Sequence, residues 1–319
     1  MSTRYVLVVS HTGREDSLLA GTEVCAQLSA AGIKPVMTKV ERDEYIEFSR
    51  SQVVPHEAIA NIAVLDEEVD GKELEVVMVL GGDGTILKAA EVVREWATPL
   101  LGINLGHVGF LAESERDGMS DAVARVVEHD YLVKERLALD VRVIVGGHEE
   151  FRTWALNEAT IEKSARERML EVVVEIDERP LSSFGCDGIV MATPTGSTAY
   201  SFSAGGPVVW PSVEALLLVP LSAHALFARP LVINPNSKLA VEVMQRSAGS
   251  GVLWCDGRRT WELPPGARVE VRKSELPVRL ARFRQGPFTD RLVRKFSLPV
   301  VGWRGPASDA NGASQRAVW

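Results

Sequence analysis

The strongest chemical signal in the sequence is a glycine-rich segment at residues 81–85, GGDGT. It follows an apolar run that ends at Leu80 and precedes a stretch with helical spacing. In an open sheet of parallel strands, ligands bind at the carboxyl ends of the strands, where the next helix directs free N–H groups at an anion. Because glycines let a phosphate approach the backbone closely, we predict a phosphate-handling turn made of Gly81, Gly82, Gly84 and Thr85.

Asp83 stands in the middle of this turn. A carboxylate beside phosphates is electrostatically costly unless a metal ion offsets it or it accepts a proton. In phosphoryl transfer, such an Asp accepts the proton of the attacking hydroxyl. The segment matches neither G-x-G-x-x-G nor G-x-x-x-x-G-K-[ST], so the two common nucleotide loops do not explain it. The alternative interpretation is an ordinary Asp-Gly turn after a strand.

A second polar segment, TPTGSTAYSFS at residues 193–203, is followed by Gly-Gly-Pro. Its hydroxyl groups can bond ribose hydroxyls or phosphate oxygens, and Tyr200 offers a flat face to a base. A binding loop and a turn-rich connection between strands both fit this composition.

Asn157 and Glu158 interrupt an apolar, strand-like run at residues 154–160. Burying either side chain without a partner would cost free energy, and a ligand is one possible partner. Asn can donate to and accept from an adenine edge, while Glu accepts from a ribose hydroxyl. A bulge or a solvent-facing position is the alternative.

Several single residues are weaker candidates. Asp187 and Asp256 each precede a glycine, and for Asp256 a tight turn is the preferred interpretation. Arg166 and Arg168 lie in a charged loop, but an acidic protein that binds an anion needs local cations. His107 could face a ligand at the end of the next strand, although a lone His is usually a polar loop residue.

The elements that must position the glycine turn alternate along the first part of the chain. Apolar runs typical of buried strands are separated by stretches with helical spacing, which favours a parallel sheet. We predict strands at residues 5–9, 34–40, 74–80 and 99–104, and helices at residues 16–31 and 87–96.

The pattern changes beyond about residue 131 to strands with period-two alternation, separated by Gly, Pro or Ser clusters. This part of the chain is predicted to be all-β, and helical spacing at residues 290–296 predicts a return to the α/β domain. The final segment has almost nothing to bury and is predicted to be disordered. The predicted strands of this half include residues 140–145, 171–176, 239–244 and 269–272.

Composition limits the class of protein. The chain has 319 residues, 46% of them hydrophobic, which favours two domains. Its net charge of −8 argues against a surface that neutralises many nucleic-acid phosphates. The longest apolar stretch, residues 215–233, is interrupted by prolines and charges, which argues against a membrane span. The three scattered cysteines, Cys25, Cys186 and Cys255, indicate a reducing, cytoplasmic location.

Four segments, in this order along the chain, resemble the NAD kinase family: residues 81–85, 104–111 (NLGHVGFL), 157–160 (NEAT) and 193–200 (TPTGSTAY). The resemblance extends from the first strand to Trp303, and residues 287–296 are most similar to actinobacterial members. It implies an α/β domain at residues 1–135, a β-sandwich at 136–285 that also builds a homodimer or homotetramer, and a returning helix at 286–303. The predicted disordered tail at 304–319 lies outside the resemblance.

The resemblance also implies a reaction. A phosphoryl group passes from ATP, or from polyphosphate as in some members, to the 2′-hydroxyl of the adenosine ribose of NAD, giving NADP. Asp83 is the proton acceptor and Mg²⁺ assists, with its ligands unassigned. Lys88 and Arg168 fall where the family has basic phosphate contacts, and Phe110 is a wall of the adenine pocket or a core residue. The implied NAD-binding residues are Asp83, Gly84, Lys88, Phe110, Asn157, Glu158, Arg168, Asp187, Thr198, Ala199, Tyr200, Ser201, Phe202 and Ser203.

Three rival functions share part of the pattern. Diacylglycerol and sphingosine kinases resemble the glycine turn, but they leave Asn157, Glu158 and the 193–203 segment unexplained, and no basic amphipathic helix is evident. A kinase of the phosphofructokinase type shares the turn but not the all-β second half. A non-catalytic dinucleotide sensor would gain nothing from the Asp83 carboxylate near phosphates.

Overall fold

The computed structural model describes residues 3–51, 59–106, 109–166, 168–283 and 287–300. The predictions for His107 and for residues 304–319 lie outside these ranges. All three cysteines are buried free thiols. Within the described ranges, the helices are too short or too polar to cross a membrane.

The chain folds into two parts, one mixed and one built of antiparallel strands. The helices are α1 (Glu15–Ala30), α2 (Lys39–Ser51), α3 (Asp83–Val92), α4 (Met119–Val127), α5 (Tyr200–Ser203) and α6 (Phe288–Phe296). The strands are β1 (Arg4–Ser10), β2 (Ile33–Met37), β3 (Ala63–Val64), β4 (Leu74–Leu80), β5 (Leu100–Asn104), β6 (Ser114–Glu115), β7 (Leu132–Arg136), β8 (Leu139–Val145), β9 (His148–Ala155), β10 (Glu158–Lys163), β11 (Leu170–Ile176), β12 (Arg179–Cys186), β13 (Gly188–Ala192), β14 (Leu216–Leu221), β15 (Leu231–Ile233), β16 (Leu239–Val243), β17 (Gly251–Cys255), β18 (Arg259–Leu263), β19 (Arg268–Lys273) and β20 (Val278–Arg282).

The first part is an eight-stranded sheet in the order β3-β2-β1-β4-β5-β20-β7, with β6 beside β5. All of its strand pairs are parallel except the pair of β7 with β20. Both faces are covered, which explains why β1 and β4 read as nearly continuous apolar runs. Val8 and Met78 face α1, α2 and α4, while Val9 and Val79 face the side of α3.

Helix α2 was missed by the sequence prediction, which extended a strand to residue 40, whereas β2 ends at Met37. The buried stripe of α2 consists of Glu41, Tyr45 and Ser49, so two of its three inward positions are polar and the hydrophobic period is weak. Helix α3 also begins at Asp83 rather than at residue 87, because the glycine turn itself forms the first turn of the helix.

The second part is a sandwich of two six-stranded antiparallel sheets, in the orders β15-β14-β13-β10-β17-β18 and β12-β11-β16-β19-β8-β9. Alternate side chains of both sheets meet in one apolar core that includes Val141, Val172, Ile189 and Leu253. The predicted fold class, α/β plus an all-β sandwich with a C-terminal helix, is therefore confirmed.

The return to the α/β sheet begins earlier than the sequence indicated. Residues 278–282 were assigned to the β domain, but β20 lies parallel to β5 and antiparallel to β7 in the first sheet. The sequence VRLAR is compatible with a half-buried strand in either sheet, because the local pattern of a strand does not determine which strand it pairs with. Helix α6 then packs beside this sheet through Arg291, which bonds Glu113.

Candidate active site

The glycine turn joins β4 to α3. Gly82 is the N-cap of α3 and Asp83 is its first residue, and no side chain of the described residues caps the free N–H groups there. Gly81 and Thr85 are buried, while Gly82 and Gly84 are exposed. Because a helix N-terminus directs N–H groups and a partial positive charge outward, the turn can accept an anion.

The carboxylate of Asp83 is held by the loop that follows β5. Its two oxygens accept hydrogen bonds from the backbone N–H groups of Phe110 and Leu111, each over 3.1 Å. A Cβ at Gly109 would collide with this carboxylate, so the close approach requires glycine. The two bonds fix the orientation of the carboxylate and leave each oxygen a second lone pair that can accept a proton.

A cavity of about 520 Å³ opens at the glycine turn. The first loop of the chain, residues 11–14 after β1, forms its opposite wall, and Arg14 is the N-cap of α1. Helices α1 and α3 thus both begin at this cavity, and its side chains include the cations of Arg14, Lys88 and Arg258. Other residues that line it are Ser10, Ser17, Gly81, Gly82, Gly84, Thr85, Asn104, Leu105 and Gly106.

Lys88 is held over this cavity by a buried carboxylate. Its Nζ lies 2.9 Å from Oε1 of Glu41, whose side chain is only 2% exposed. The other oxygen of Glu41 accepts a hydrogen bond of 2.9 Å from Thr38 Oγ1. The missed helix α2 therefore positions one of the predicted phosphate contacts.

The β domain docks onto α3 through the hairpin turn between β17 and β18. Arg258 in this turn donates two hydrogen bonds of 3.0 Å to Glu91 at the end of α3. The ring of Trp154 lies between the guanidinium groups of Arg94 and Arg259, each 4.4 Å from its centroid. These contacts bring the second half of the chain against the helix that carries Asp83.

Asp256, in the same turn, organises the segment with Asn157 and Glu158. The predicted turn is present, since Asp256 has a φ of 54° and Arg258 N–H donates to the carbonyl of Cys255. Its buried carboxylate also accepts hydrogen bonds from the N–H groups of Leu156 (2.9 Å) and Asn157 (2.7 Å). The sequence interpretation as a turn therefore missed this second role.

Glu158 is buried at the start of β10, and its Oε2 atom has no hydrogen-bond partner among the described residues. Burial, followed by the nearby Asp256 carboxylate, raises the pKa of Glu158 to about 8. The side chain is therefore mostly neutral at pH 7 and can donate as well as accept a hydrogen bond. An unpaired buried oxygen of this kind points to a ligand.

The polar segment at 193–203 packs against the backbone at Leu156 and Asn157. Thr193 donates through its hydroxyl to Leu156 O over 2.6 Å and through its N–H to Asn157 O over 2.9 Å. A Cβ at Gly196 would collide with the carbonyl of Asn157, so this contact also requires glycine. The segment at residues 193–203 and the segment with Asn157 and Glu158, which the sequence singled out separately, therefore form one surface.

This surface continues along β10. The N–H group of Tyr200 donates to the Glu158 carboxylate, and the Tyr200 hydroxyl donates to Glu162, four residues further along the strand. Asp187 precedes Gly188, the partner of Glu162 across the strands, so it lies level with Lys163, about 17 Å along the strand from the Glu158 end. Lys163, 2.5 Å away, lowers the pKa of Asp187.

The remaining predicted residues differ in their surroundings. Ser201 has a buried Oγ without a hydrogen-bond partner among the described residues, which makes it a second unsatisfied polar group of the surface. Thr198 and Ala199 are partly exposed, and Phe202 and Ser203 are exposed. Arg168 instead donates to the carbonyl of Ala248 over 2.6 Å, beside the turn that precedes β17.

Helix α6 packs against two predicted site residues. The ring of Phe110 lies 6.0 Å from Phe288 and 5.7 Å from Phe296, and the ring of Phe202 lies 4.5 Å from Phe296. Phe110 also lines a second cavity, of about 420 Å³, together with Thr195 and Thr198. Asp83 therefore lies between two cavities, since its neighbours in the chain line one and its hydrogen-bond partners line the other.

The described side chains limit how this chain could hold a metal ion. Among the described residues, no group of three or more His, Cys, Asp or Glu side chains could hold a metal ion by itself. Mg²⁺ commonly keeps several waters and binds through one or two carboxylates together with substrate phosphates. The chain therefore fits an ion that arrives with a nucleotide, and Asp83 is the carboxylate of the glycine turn.

Sequence reasoning missed the 11–14 loop, Glu41 and the second role of Asp256 as an acceptor for remote N–H groups. The loop could have been found from its position, because it follows the central strand β1 at the same sheet edge as the glycine turn. Glu41 and Asp256 carry no such signal, since their partners are remote in the sequence.

Comparison with known proteins places these features in a family context. Residues 6–131 match the model of the ATP-NAD kinase N-terminal domain, and residues 156–283 match that of the ATP-NAD kinase C-terminal domain. A protein named NAD kinase from Leifsonia xyli is 64% identical over 303 residues, 95% of this chain and 97% of its own length. The NAD kinase of Thermobifida fusca is 57% identical over 97% of this chain and 94% of its own length.

Two solved structures share the fold. Yeast NADH kinase complexed with NADH has a TM-score of 0.82 at 21% identity, covering 93% of this chain and 88% of that protein. An NAD kinase from Archaeoglobus fulgidus in complex with ATP has a TM-score of 0.66 at 21% identity, covering 92% of this chain and all of that one.

Proposed function

The chain belongs to the NAD kinase family of phosphotransferases, and from its own geometry we propose that Asp83 is the proton acceptor when a phosphoryl group passes from ATP to NAD. The acceptor is the 2′-hydroxyl of the adenosine ribose, and the product is NADP. One observation carries the assignment of Asp83. Its oriented, half-buried carboxylate lies at the start of α3, between the cavity at the glycine turn and the cavity that Phe110 and Thr198 line.

The chemistry follows from this placement. A secondary hydroxyl is a poor nucleophile near neutral pH, and a positioned carboxylate that takes its proton contributes about a hundredfold to ten-thousandfold. The ribose oxygen forms a bond to the γ-phosphorus as the bond to the β,γ-bridging oxygen breaks. The proton moves to Asp83, and ADP leaves. Holding both substrates in line supplies much of the remaining acceleration.

The cavity at the glycine turn is the donor site in this proposal. Its N–H groups come from the starts of α1 and α3, and its cations from Arg14, Lys88 and Arg258. Arg14 and the two helix starts supply a positive field in a protein whose net charge is −8, and Lys88 and Arg258, which are paired with Glu41 and Glu91, add hydrogen-bond donors. When bound with the nucleotide, Mg²⁺ would neutralise charge on the transferred group.

The dinucleotide lies along β10 in this proposal. Asn157, Glu158 and Ser201 bond its adenosine part, with the Oε2 atom of Glu158 and the Oγ atom of Ser201 as the unsatisfied groups that a ligand would pair. Tyr200 follows, and Asp187 lies at the far end of the strand, where it would contact a further part of NAD. The roles proposed for Arg168, Thr198, Ala199, Phe202 and Ser203 rest on the family resemblance alone.

We also propose that the β domain forms a homodimer or homotetramer. Large apolar side chains are exposed on this domain, among them Leu226, Phe227 and, on strand β15, Val232. Exposed apolar groups of this size often mark a protein interface.

Formation of NADP by the purified full chain tests the function. We expect activity with ATP, Mg²⁺ and NAD, and a parallel reaction with polyphosphate determines whether it also serves as donor. Phosphorylation of diacylglycerol but not of NAD would favour a lipid kinase. Binding of NAD without NADP formation from either donor would favour a sensor.

A further inference from the structure

The second cavity, beside Phe110, has a charge imbalance that phosphoryl transfer does not use. Three guanidinium groups line its 420 Å³, those of Arg136 on β7, Arg282 on β20 and Arg291 on α6. The carboxylate of Glu113, 1% exposed, pairs with two of them, Arg282 at 2.8 Å and Arg291 at 2.7 Å. Three positive charges therefore share one buried negative charge.

No carboxylate of the described residues pairs with Arg136. Within the described part of the chain, its only hydrogen-bond partner is the carbonyl of Pro211, at 3.3 Å, and it forms no ion pair there. Burial, followed by repulsion from Arg291, lowers the pKa of Arg136. Guanidinium groups stay charged in proteins, so most of the donors of Arg136 are available to an anion in the cavity.

Arg282 is paired with Glu113 but also has a donor without an acceptor. Its Nε atom is buried and has no hydrogen-bond partner among the described residues. Burial and the repulsion of Arg291 and Arg136 lower its pKa to about 10. A buried donor left without a partner costs free energy that a bound acceptor recovers.

The other charged residues at the cavity do not restore the balance. Glu135 is already paired with Arg279, at 3.2 Å, and Lys134 adds a further positive charge. The rest of the lining is uncharged: it is aromatic, hydroxyl-bearing or aliphatic, with Trp210 edge-on to Phe288 at 5.2 Å and Thr195 and Thr198 among the hydroxyl-bearing residues.

From these contacts we infer that the cavity between β7, β20 and α6 binds a phosphate group, with Arg136 and Arg282 as its principal ligands. Arginine matches the geometry of phosphate oxygens through paired N–H donors, and a dianion would offset the excess charge. The phosphate is either a free anion or part of a nucleotide whose remaining groups contact Phe110 and Thr198, which line the same cavity. Only the nucleotide as the source of the phosphate depends on the proposed function.

The location can be tested by crystallography. Crystals of the full chain soaked in tungstate, a phosphate analogue with an anomalous signal, are expected to show a peak within hydrogen-bonding distance of Arg136. The peak should be absent in Arg136→Met, which should still fold because the replaced side chain makes a single hydrogen bond to the described residues. Peaks at the glycine turn alone would overturn the inference.

Affinity distinguishes the two sources. Calorimetric titrations with inorganic phosphate and with AMP should show binding that Arg136→Met weakens about tenfold or more, since a charge-assisted bond to phosphate is lost. Arg136→Lys should retain part of the affinity. Lys88→Met, which removes a cation from the other cavity, is the matched control. It should leave unchanged the part of the phosphate or AMP affinity that Arg136→Met removes.

Binding of inorganic phosphate that depends on Arg136 identifies a free anion, and dependence seen only with AMP identifies a nucleotide phosphate. Equal affinities of wild type and Arg136→Met for both probes would overturn the inference. This outcome is separate from a failure of the proposed function, because neither titration requires catalysis.

Discussion

The backbone N–H group of Phe110 donates a 3.1 Å hydrogen bond to the carboxylate of Asp83, across 27 residues of sequence. The bond ties the loop after β5 to the first residue of α3, so the orientation of Asp83 depends on that loop. The loop is itself held by α6, because Arg291 bonds the carbonyls of Phe110 (3.0 Å) and Ala112 (3.1 Å). A chain of contacts therefore connects the C-terminal helix with the proposed base.

Replacement of Asp83 by Asn tests the base directly. Asn has nearly the same size and one acceptor oxygen, but it cannot take a proton from the ribose hydroxyl. We expect Asp83→Asn to lower kcat by about a hundredfold to ten-thousandfold while NAD affinity, measured by calorimetry, changes little. Asp121→Asn, on the exposed face of α4, is the control. Near-normal turnover of Asp83→Asn would contradict the assignment.

Gly109 allows the loop to approach Asp83. Because a Cβ at this position would collide with the carboxylate, Gly109→Ala should displace Asp83 and lower kcat by about tenfold to a hundredfold. Gly251→Ala, whose new Cβ would make ordinary contacts of 3.4 Å and longer, should behave as wild type in the same steady-state assay. Equal kcat values for both variants would exclude this steric role.

Arg291 is expected to act as a positioning residue. Arg291→Met removes the two bonds to the backbone of the loop, so kcat should fall about tenfold, whereas KM for ATP should stay nearly constant because the donor cavity is untouched. Arg294→Met, on the same helix with an exposed side chain, is the comparison. A parallel rise in KM for ATP, or a loss of folding by circular dichroism, would argue against a positioning role.

The raised pKa of Glu158 predicts a pH-dependent stability. In the folded chain this carboxyl group holds its proton until about pH 8, whereas in the unfolded chain it releases the proton near pH 4.5. Stability is therefore lost as the pH rises from 4.5 to 8, and Glu158→Gln removes that loss. The variant should gain on the order of 4 kcal/mol relative to wild type across this window in urea unfolding.

If the difference in stability between Glu158→Gln and wild type were the same at pH 5 and at pH 8, Glu158 would be ionised in the folded protein. Glu115→Gln, with a side chain 59% exposed, provides the baseline for removing a carboxylate from this chain.

Asp256 should be important for stability. Asp256→Ala leaves the N–H groups of Leu156 and Asn157 and part of Arg259 without an acceptor in a buried place, so we expect a loss of about 3 to 5 kcal/mol. Asn tolerates the positive φ of this turn and keeps one acceptor oxygen, so Asp256→Asn should cost about half as much. Chemical denaturation measures both, and equal stabilities of the two variants would contradict this account.

Sequence alone determined the fold class and the segments that carry the chemistry. The strand and helix periods are local, and the apolar runs of β1 and β4 reflect burial on both faces of a sheet. The glycine turn, the Asn157-Glu158 pair and the 193–203 segment were recognisable because each breaks the local pattern with residues that a core does not need. Their roles in binding NAD remain predictions.

Only the tertiary structure decided which of these groups meet. The Asp256 carboxylate reaches the Asn157 N–H across 99 residues, Glu41 holds Lys88, and β20 returns to the first sheet rather than joining the second. No local period encodes such pairings, because a hydrogen bond or an ion pair depends on distance in space and its partner can lie anywhere in the chain. The unpaired charge of Arg136 is of the same kind, since an excess of cations becomes visible only when β7, β20 and α6 are packed around one cavity.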